Sequence, residues 1–278
     1  MFLNRKILIT TKHKKELVIG PIIEKELGLS YVVNEQYDTD LLGTFTGEIE
    51  RILDPIDNAR KKCLDGMNLY NCEIGIASEG SFGPHPQAYF LSANEEVIIF
   101  IDKKNKLEII AREISTETNF NSKTIQNIEE LFAFAESVNF PSHALILRKS
   151  KHEKEDIFKG IQDNHELIKT FNYLHKKYQI VFAETDMRAM VNPMRMKLIE
   201  KTTLQLIQKI KSTCPNCQHP GFSVTKTKKG LKCNLCGTPT NSPLSLVSVC
   251  TQCSFEKEEF YPNNKTSEDP MYCDHCNP

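Results

Sequence analysis

Eight of the chain's ten cysteines lie beyond residue 213, all in C-x-x-C pairs: Cys214 with Cys217, Cys233 with Cys236, Cys250 with Cys253, and Cys273 with Cys276. Such a turn presents two thiolates on one side of a knuckle, and Zn²⁺ takes four ligands in a tetrahedron, so the pairs predict two structural zinc sites. A closed four-thiolate site has no open position and performs no hydrolysis; these zincs staple a small core. The pairs are separated by 15, 13 and 19 residues. A hairpin over 222–232, "FSVTKTKKGLK", sets the second knuckle opposite the first and favours sequential pairing, first with second and third with fourth; cross-bracing is the alternative. His219 and His275 read as bystanders, because cysteines fill both sites. A thioredoxin-type couple needs a strand-to-helix context that this segment lacks. Cys63 and Cys72 read as core thiols.

This tail, residues 212–278, resembles tandem zinc ribbons. It carries six lysines, no arginine and six acidic residues, and eight thiolates with two Zn²⁺ add four negative charges. Phosphate neutralisation would fall to Lys226, Lys228, Lys229 and Lys232 alone, so a protein partner is expected before nucleic acid. Over the whole chain, 35 basic and 36 acidic side chains give a formal charge of -1, which provides no global attraction to nucleic acid or anionic lipid. Apolar runs such as Val97 to Ile101 are strand-sized, and "MFLNRKILITTKH" lacks a signal-peptide core. A soluble cytoplasmic protein without a membrane partner is the expectation, of undetermined oligomeric state.

Residues 1–211 read as one α/β domain, the candidate catalytic domain, with a mixed sheet. "KILIT" (6–10), a helix from about Lys14 to Leu27, and "YVV" (31–33) begin it. Asp54 N-caps a helix with Pro55 in its first turn. The strand opening "CEIGIASEGSFGPHP" (72–86) follows, and "EEVIIFID" (95–102) with "LEIIAREIS" (107–115) forms an antiparallel hairpin. A helix from about Ser122 to Val138, the strand "HALILR" (143–148) and a helical extension from about 160 complete the domain, with Asn192 and Pro193 marking the start of the last helix.

Glu79 breaks the apolar rule of its strand. Ligands collect beyond the carboxyl ends of strands in open α/β sheets, and an ionised glutamate beside apolar residues is costly unless a cation meets it. A hard divalent ion, Mg²⁺ or Mn²⁺, is one answer and a helix cap or salt bridge the other. Gly80 and Gly83 permit close approach of a backbone or a phosphate. "TTKHKKE" (10–16) places Thr11, Lys12, His13 and Lys15 beside a helix amino terminus suited to anions, "DTDLLGTFTGEIER" (38–51) supplies Asp38, Asp40 and Glu48, and the next helix carries Arg60, Lys61 and Lys62. Carboxylates and cations about one cleft suit metal-assisted phosphoryl chemistry. In "ETDMRAMVNPMRM" (184–196), Asp186, Arg188, Asn192 and Arg195 form either an arginine clamp for phosphate or carboxylate, or a buried ion pair joining the body to the long helix. His85 and His143 stand beside prolines as acid/base candidates or as ordinary loop histidines.

Over the whole length, "TKHKKE", "DTDLLGTFTGEIER", "ASEGSFGPHP", "TDMRAMVNPMRM" and "CDHCNP" resemble a bacterial family known only as a domain of unknown function. Residues 6 to about 115 also resemble, more distantly, the inosine/xanthosine triphosphatase group of nucleotide pyrophosphatases. Their pattern is strand, T-x-x-x-K, helix, then A-R-x-x-A, then G-x-E-G-G ending a strand, and here Thr11 with Lys15, Ala59 with Arg60, and Ile76 to Ser81 take those places. This chain departs from them at Lys12-His13, where the relatives usually have Asn-Pro, at Ser81, the second glycine, and at Cys63. The resemblance implies a cleft in which Mg²⁺ held by carboxylates helps water cleave a nucleoside triphosphate to monophosphate and pyrophosphate. It implies Glu79 as metal ligand, Lys15 on phosphate, and Glu48 as second ligand or base; from the residues themselves, Asp40 is a further candidate catalytic carboxylate and Arg60, Ser81 and His85 are candidate substrate-binding residues. A divalent-metal-dependent phosphoanhydride hydrolase, most plausibly a nucleoside triphosphate pyrophosphatase, is the first expectation. A non-catalytic nucleotide sensor or adaptor whose ribbons bind protein or nucleic acid is the second.

Overall fold

Ile7, Leu8 and Ile9 are all fully buried, which a strand achieves when both faces of its sheet are covered. They belong to β1 (Lys6–Thr10) in a five-stranded sheet of order β2-β1-β3-β4-β5, with β2 Ser30–Val33, β3 Ile74–Pro84, β4 Ser92–Asp102 and β5 Leu107–Ser115. β1 runs parallel to β2 and β3, whereas β3, β4 and β5 pair antiparallel. The sheet is mixed, as the sequence predicts. The computed structural model describes residues 2, 5–39, 52–151 and 155–278. It divides into two units, Met1–Ile207 and Gln208–Pro278.

α1 (Glu16–Leu27) links β1 to β2, and α2 (Pro55–Leu69) precedes β3. The strand order reverses at β1, so right-handed crossovers carry the two helices to opposite faces. Asp54 caps α2 as expected, its Oδ1 accepting from the Ile56 and Asp57 N–H groups at 2.9 and 3.1 Å. Ala59, Cys63 and Met67 of α2 cover Ala77, Val97 and Ile99. Burial pushes the Cys63 thiol up, as suits a core position. Cys72 is only half-buried, with Sγ 3.6 Å from the Tyr70 carbonyl oxygen.

A second sheet lies in the same unit, and the sequence reading missed most of it. Its order is β6-β9-β7-β8, all antiparallel, from β6 (Ser122–Ile125), β7 (Leu145–Arg148), β8 (Phe158–Ile161) and β9 (Val181–Thr185). Residues 122–125 are therefore strand, not the first turn of a helix. Asn127 Oδ1 accepts from the Glu130 N–H at 2.9 Å and starts α3 (Ile128–Ser137) there. The stretch read as a helical extension from about 160 holds α4 (Asn164–Tyr178) and α5 (Pro193–Lys211) with β9 between them. Strands of four or five residues show too few alternations to outweigh flanking helical periodicity. Leu131, Phe134, Leu167 and Phe171 pack with Leu145, Leu147, Val181 and Ala183 in one core.

In the second unit, β10 (Ser223–Lys229), β11 (Pro243–Val249) and β12 (Glu256–Phe260) form an antiparallel sheet of order β10-β11-β12. Cys214, Cys217, Cys250 and Cys253 form one cluster, and Cys233, Cys236, Cys273 and Cys276 the other; each can hold a structural zinc. Pairing is cross-braced, which corrects the sequential expectation. Residues 223–229 are one strand rather than a hairpin, and seven residues at about 3.3 Å each carry the chain roughly 23 Å away from the first knuckle. β11 returns antiparallel, Ser223 opposite Val249, and delivers the third knuckle to the first. Sulfur separations of 3.7 Å (Cys214–Cys253), 3.6 Å (Cys217–Cys250), 3.9 Å (Cys233–Cys276) and 3.6 Å (Cys236–Cys273) match the edge of about 3.8 Å of a tetrahedron with Zn–S bonds near 2.3 Å. His219 and His275 belong to neither cluster.

Cross-bracing makes the double variants diagnostic. Cys214→Ser with Cys250→Ser strikes one site and should leave about one zinc per chain, whereas Cys214→Ser with Cys233→Ser strikes both and should leave almost none. Native mass spectrometry of zinc-loaded chains reads the difference, and sequential pairing predicts the reverse.

Candidate functional site

Consecutive strand residues point to opposite faces, so Ser78 and Glu79, adjacent at the middle of β3 just past its last pairing with β1 (Thr10 with Ala77), enter different surroundings. Glu79, paired in register with Val97, turns to the α2 face and is bonded to Lys62 Nζ. Ser78 turns the other way, and its Oγ accepts from Lys15 Nζ at 2.8 Å. The same ammonium donates to Glu96 Oε1 at 2.8 Å. Glu96 sits opposite Gly80 in the β3–β4 register and so shares the Ser78 face. Its Oε2 accepts from Arg195 Nη2 at 3.2 Å, and Arg195 Nη1 donates to the Met187 carbonyl at 2.5 Å. The guanidinium carbon lies 5.2 Å from the Phe82 ring centroid, a cation–π contact.

Local sequence explains each position. Lys15 stands immediately before α1, reached through His13 (φ 66°) and Lys14 (φ 60°). Two successive left-handed non-glycine residues are strained, and strain of this kind gathers at functional turns. Asn192 Oδ1 accepts from the Arg195 N–H at 3.0 Å, and His143 Nε2 accepts from the Met194 N–H at 3.3 Å, fixing the first turn of α5. Gly80 leaves the space that Arg195 uses: a Cβ there would collide with Nη2 and with Glu96 Oε2. Its close neighbour is thus a guanidinium, while at Gly83 a Cβ would meet nothing within 4 Å.

Glu96 and Arg195 are each 0 % exposed and Lys15 is 5 % exposed. Burial pushes the Lys15 ammonium down to about 8, Glu96 raising it, Arg195 lowering it and Glu79 raising it. Burial by itself would raise the Glu96 carboxyl, but Lys15 and Arg195 outweigh it and hold the group below its ordinary range. Lys15 and Glu96 are therefore both charged at neutral pH, with a lysine that can lose its proton in mildly alkaline solution.

The sequence candidates divide among several places. Lys15, Glu79 and Arg195 reach the middle of β3, which runs on in pairing with β4 to Pro84 and so corrects the expectation that Glu79 ends its strand. Thr11 lies at the end of β1, its buried hydroxyl without a hydrogen-bond partner among the described residues. Lys12 pairs with Asp38 at 2.7 Å in an exposed position. Arg60 is paired with Asp57 of its own helix and with Glu108 of β5, at 2.8 Å from the latter. Ser81 Oγ donates to Glu95 Oε2 at 3.1 Å. His85 Nδ1 accepts from the Gln87 and Ala88 N–H groups, both at 3.2 Å, and so closes a turn. Buried Asp186 forms a local fork with Arg188, with Nε–Oδ1 2.9 Å and Nη2–Oδ2 2.5 Å. Asp40 and Glu48 lie outside the described residues. Among the described residues the only clusters of three or more potential metal ligands are the two cysteine sets, and no helix is long and apolar enough to cross a membrane.

Ser78 and Glu96 are the members that sequence reasoning missed. A signal existed for Glu96: it shares strand parity with the buried Ile98 and Phe100, so a carboxylate was pointing into a core. Replacing it with glutamine leaves two buried cations short of their shared counter-charge. Glu96→Gln should lower unfolding free energy by about 3–5 kcal/mol. Glu95→Gln, whose ion pair to Arg112 is partly exposed, should cost less than about 1 kcal/mol. Urea denaturation of the two variants checks the contrast.

No curated protein matches the chain. Residues 62–278 match the family described as "Domain of unknown function (DUF6671)". Its span takes in Lys62, Glu79, Glu96, Arg195 and all eight paired cysteines, and the chain belongs to this family.

Proposed function

We propose that the first unit binds a nucleoside triphosphate together with Mg²⁺ or Mn²⁺ where β1 ends beside the middle of β3 and hydrolyses its phosphoanhydride. The observation that carries this reading is the pair of ionic contacts on the two faces of the sheet there, Lys62 with Glu79 and Lys15 with Glu96 and Arg195. They flank the point where the order of parallel strands reverses, the usual ligand crevice of such sheets. A buried carboxylate or ammonium cannot be stripped of its partner without a penalty of several kcal/mol. A metal–phosphate complex avoids that penalty by exchanging partners: its cation replaces an ammonium on a carboxylate, and its anion takes the released ammonium.

Glu79 and Glu96 are hard-oxygen donors on opposite faces of the sheet, so one ion takes only one of them, and Mg²⁺ needs only one or two carboxylates when phosphates and water complete its shell. When bound, the ion supplies charge neutralisation and polarisation of a phosphoryl oxygen. Lys15 then holds phosphate oxygens as a point charge, and Arg195 offers a planar fork backed by Met187 and Phe82. The same ion pairs favour a second reading, nucleotide sensing without turnover, because a carboxylate bonded to an ammonium is a weak base. Asp40 and Glu48 keep their proposed parts as base or second ligand. The zinc-binding unit is proposed to contact protein.

Zinc-loaded full-length protein, Mg²⁺ or Mn²⁺ and a panel of nucleoside triphosphates decide between the two. Release of pyrophosphate or phosphate supports hydrolysis; thermal stabilisation without product supports sensing; neither effect ends both. Partner exchange further predicts synergy: metal and nucleotide together stabilise by about 2.7 kcal/mol at a hundredfold excess over Kd, and each alone by far less. Since the Lys15 ammonium is lowered to about 8, nucleotide affinity should be full below that pH and fall as pH rises through it. Lys15→Arg should abolish this inflection, and Lys15→Met should weaken binding at least tenfold.

A further inference from the structure

The second unit carries a pocket of about 390 Å³ beside its second cysteine cluster, with Leu231, Pro243, Pro262 and Tyr272 among its walls and Glu268 and Lys265 as its charged groups. Glu268 is fixed from both sides. Its backbone N–H donates to the Lys232 carbonyl at 2.8 Å and its carbonyl accepts from the Asn234 N–H at 2.9 Å, tying it to the Cys233 knuckle. The side chain, 2 % exposed, accepts from the Asp269 N–H at 2.8 Å and from Lys265 Nζ at 2.5 Å. Lys265 Nζ also lies 6.0 Å from the centroid of the Tyr272 ring. An ammonium between a carboxylate and an aromatic face, with a hydrocarbon stem along apolar walls, is how proteins hold an alkylammonium ligand.

Lys265 fills that place from a turn under strain. Tyr261, Asn263 and Asn264 have φ of 57°, 62° and 59°, a conformation asparagine adopts readily and the bulky Tyr261 does not. The stem of Lys265 is half-exposed, so it can withdraw into solvent. Glu268 is tied through its backbone to the Cys233 knuckle, and Tyr272, its ring exposed, directly precedes Cys273, so neither attachment depends on Lys265. We propose that this pocket receives the ammonium of a lysine side chain presented by another polypeptide, and that Lys265 is its removable internal stand-in. One carboxylate lines the pocket, which suits a single ammonium rather than a polyamine.

The test uses zinc-loaded full-length protein and Nα-acetyl-lysine-N-methylamide as probe, with the norleucine counterpart and butylamine as controls, followed by NMR titration. Lys265→Ala should bind the lysine probe at least tenfold more tightly than the wild type, and adding Glu268→Gln should remove that gain. Tyr272→Leu in the Lys265→Ala background, which spares the carboxylate, should also weaken the probe, and zinc content reports that each variant is folded. Equal affinity of the lysine probe for wild type and Lys265→Ala overturns the proposal, as does norleucine binding as well as lysine. Butylamine binding as tightly as the lysine probe overturns the polypeptide partner.

Discussion

A carboxylate with no exposed surface keeps its charge only where cations reach it, and Glu96 is reached by two. Lys15 arrives from the strained turn after β1, and Arg195 from the first turn of α5, 99 positions away in sequence. Two remote segments are thereby held to one residue of β4 by charge-assisted hydrogen bonds, which are stronger and more directional than neutral ones. Gly80 belongs to the same device, since a side chain there would exclude the guanidinium. The five-stranded sheet and the segment that leads from β9 into α5 thus meet through one ionic junction rather than through apolar packing alone.

The second unit solves a different problem. Its buried apolar side chains are few, Leu231 and Val247 among them, and so small a core does not hold three short strands by itself. The cysteine clusters take that part, one at each end of the sheet. The strand β11 carries the constraint between them: it starts after the Cys233–Cys236 knuckle and ends at the Cys250–Cys253 knuckle. Cross-bracing therefore ties both ends of the sheet to metal-binding knuckles, where sequential pairing would have left each half to fold alone.

How much of this was legible depended on whether the signal was local. The uninterrupted apolar run of β1, the Asp54–Pro55 start of α2 and the Asn192–Pro193 start of α5 could be read because strand burial and helix capping are written in adjacent residues. The identity of the eight ligand cysteines was legible for the same reason. Their pairing was not, because it turns on whether 223–229 runs straight or folds back, a question of tertiary direction. Glu79 drew notice as a charge at the end of an apolar strand, yet the described bond it makes is to Lys62, the bland alternative. Glu96 escaped because its inward direction is visible only once its register with Gly80 is known, and β6, β8 and β9 because four or five residues carry little periodicity. In the 184–196 segment, the ion-pair reading describes Arg195, whose partner lies in another sheet, and also the local fork of Asp186 with Arg188.

Both candidate sites have their ionic groups occupied from within, and this constrains ligands more sharply than shape does. Removing one partner from a buried pair costs several kcal/mol, comparable with the whole free energy of a micromolar complex, about 8 kcal/mol. A ligand that brings one sign of charge to either the Lys15–Glu96–Arg195 or the Lys62–Glu79 contact must leave an opposite charge stranded. A metal–phosphate complex need not, because it brings both signs in one particle. At Glu268 the corresponding exchange asks for a cation alone, since the only group to be replaced is the Lys265 ammonium, which can return to water. The internal counter-ion is thus a template for the ligand: where the chain supplies a pair, a paired guest is required, and where it supplies a single movable cation, a cation suffices.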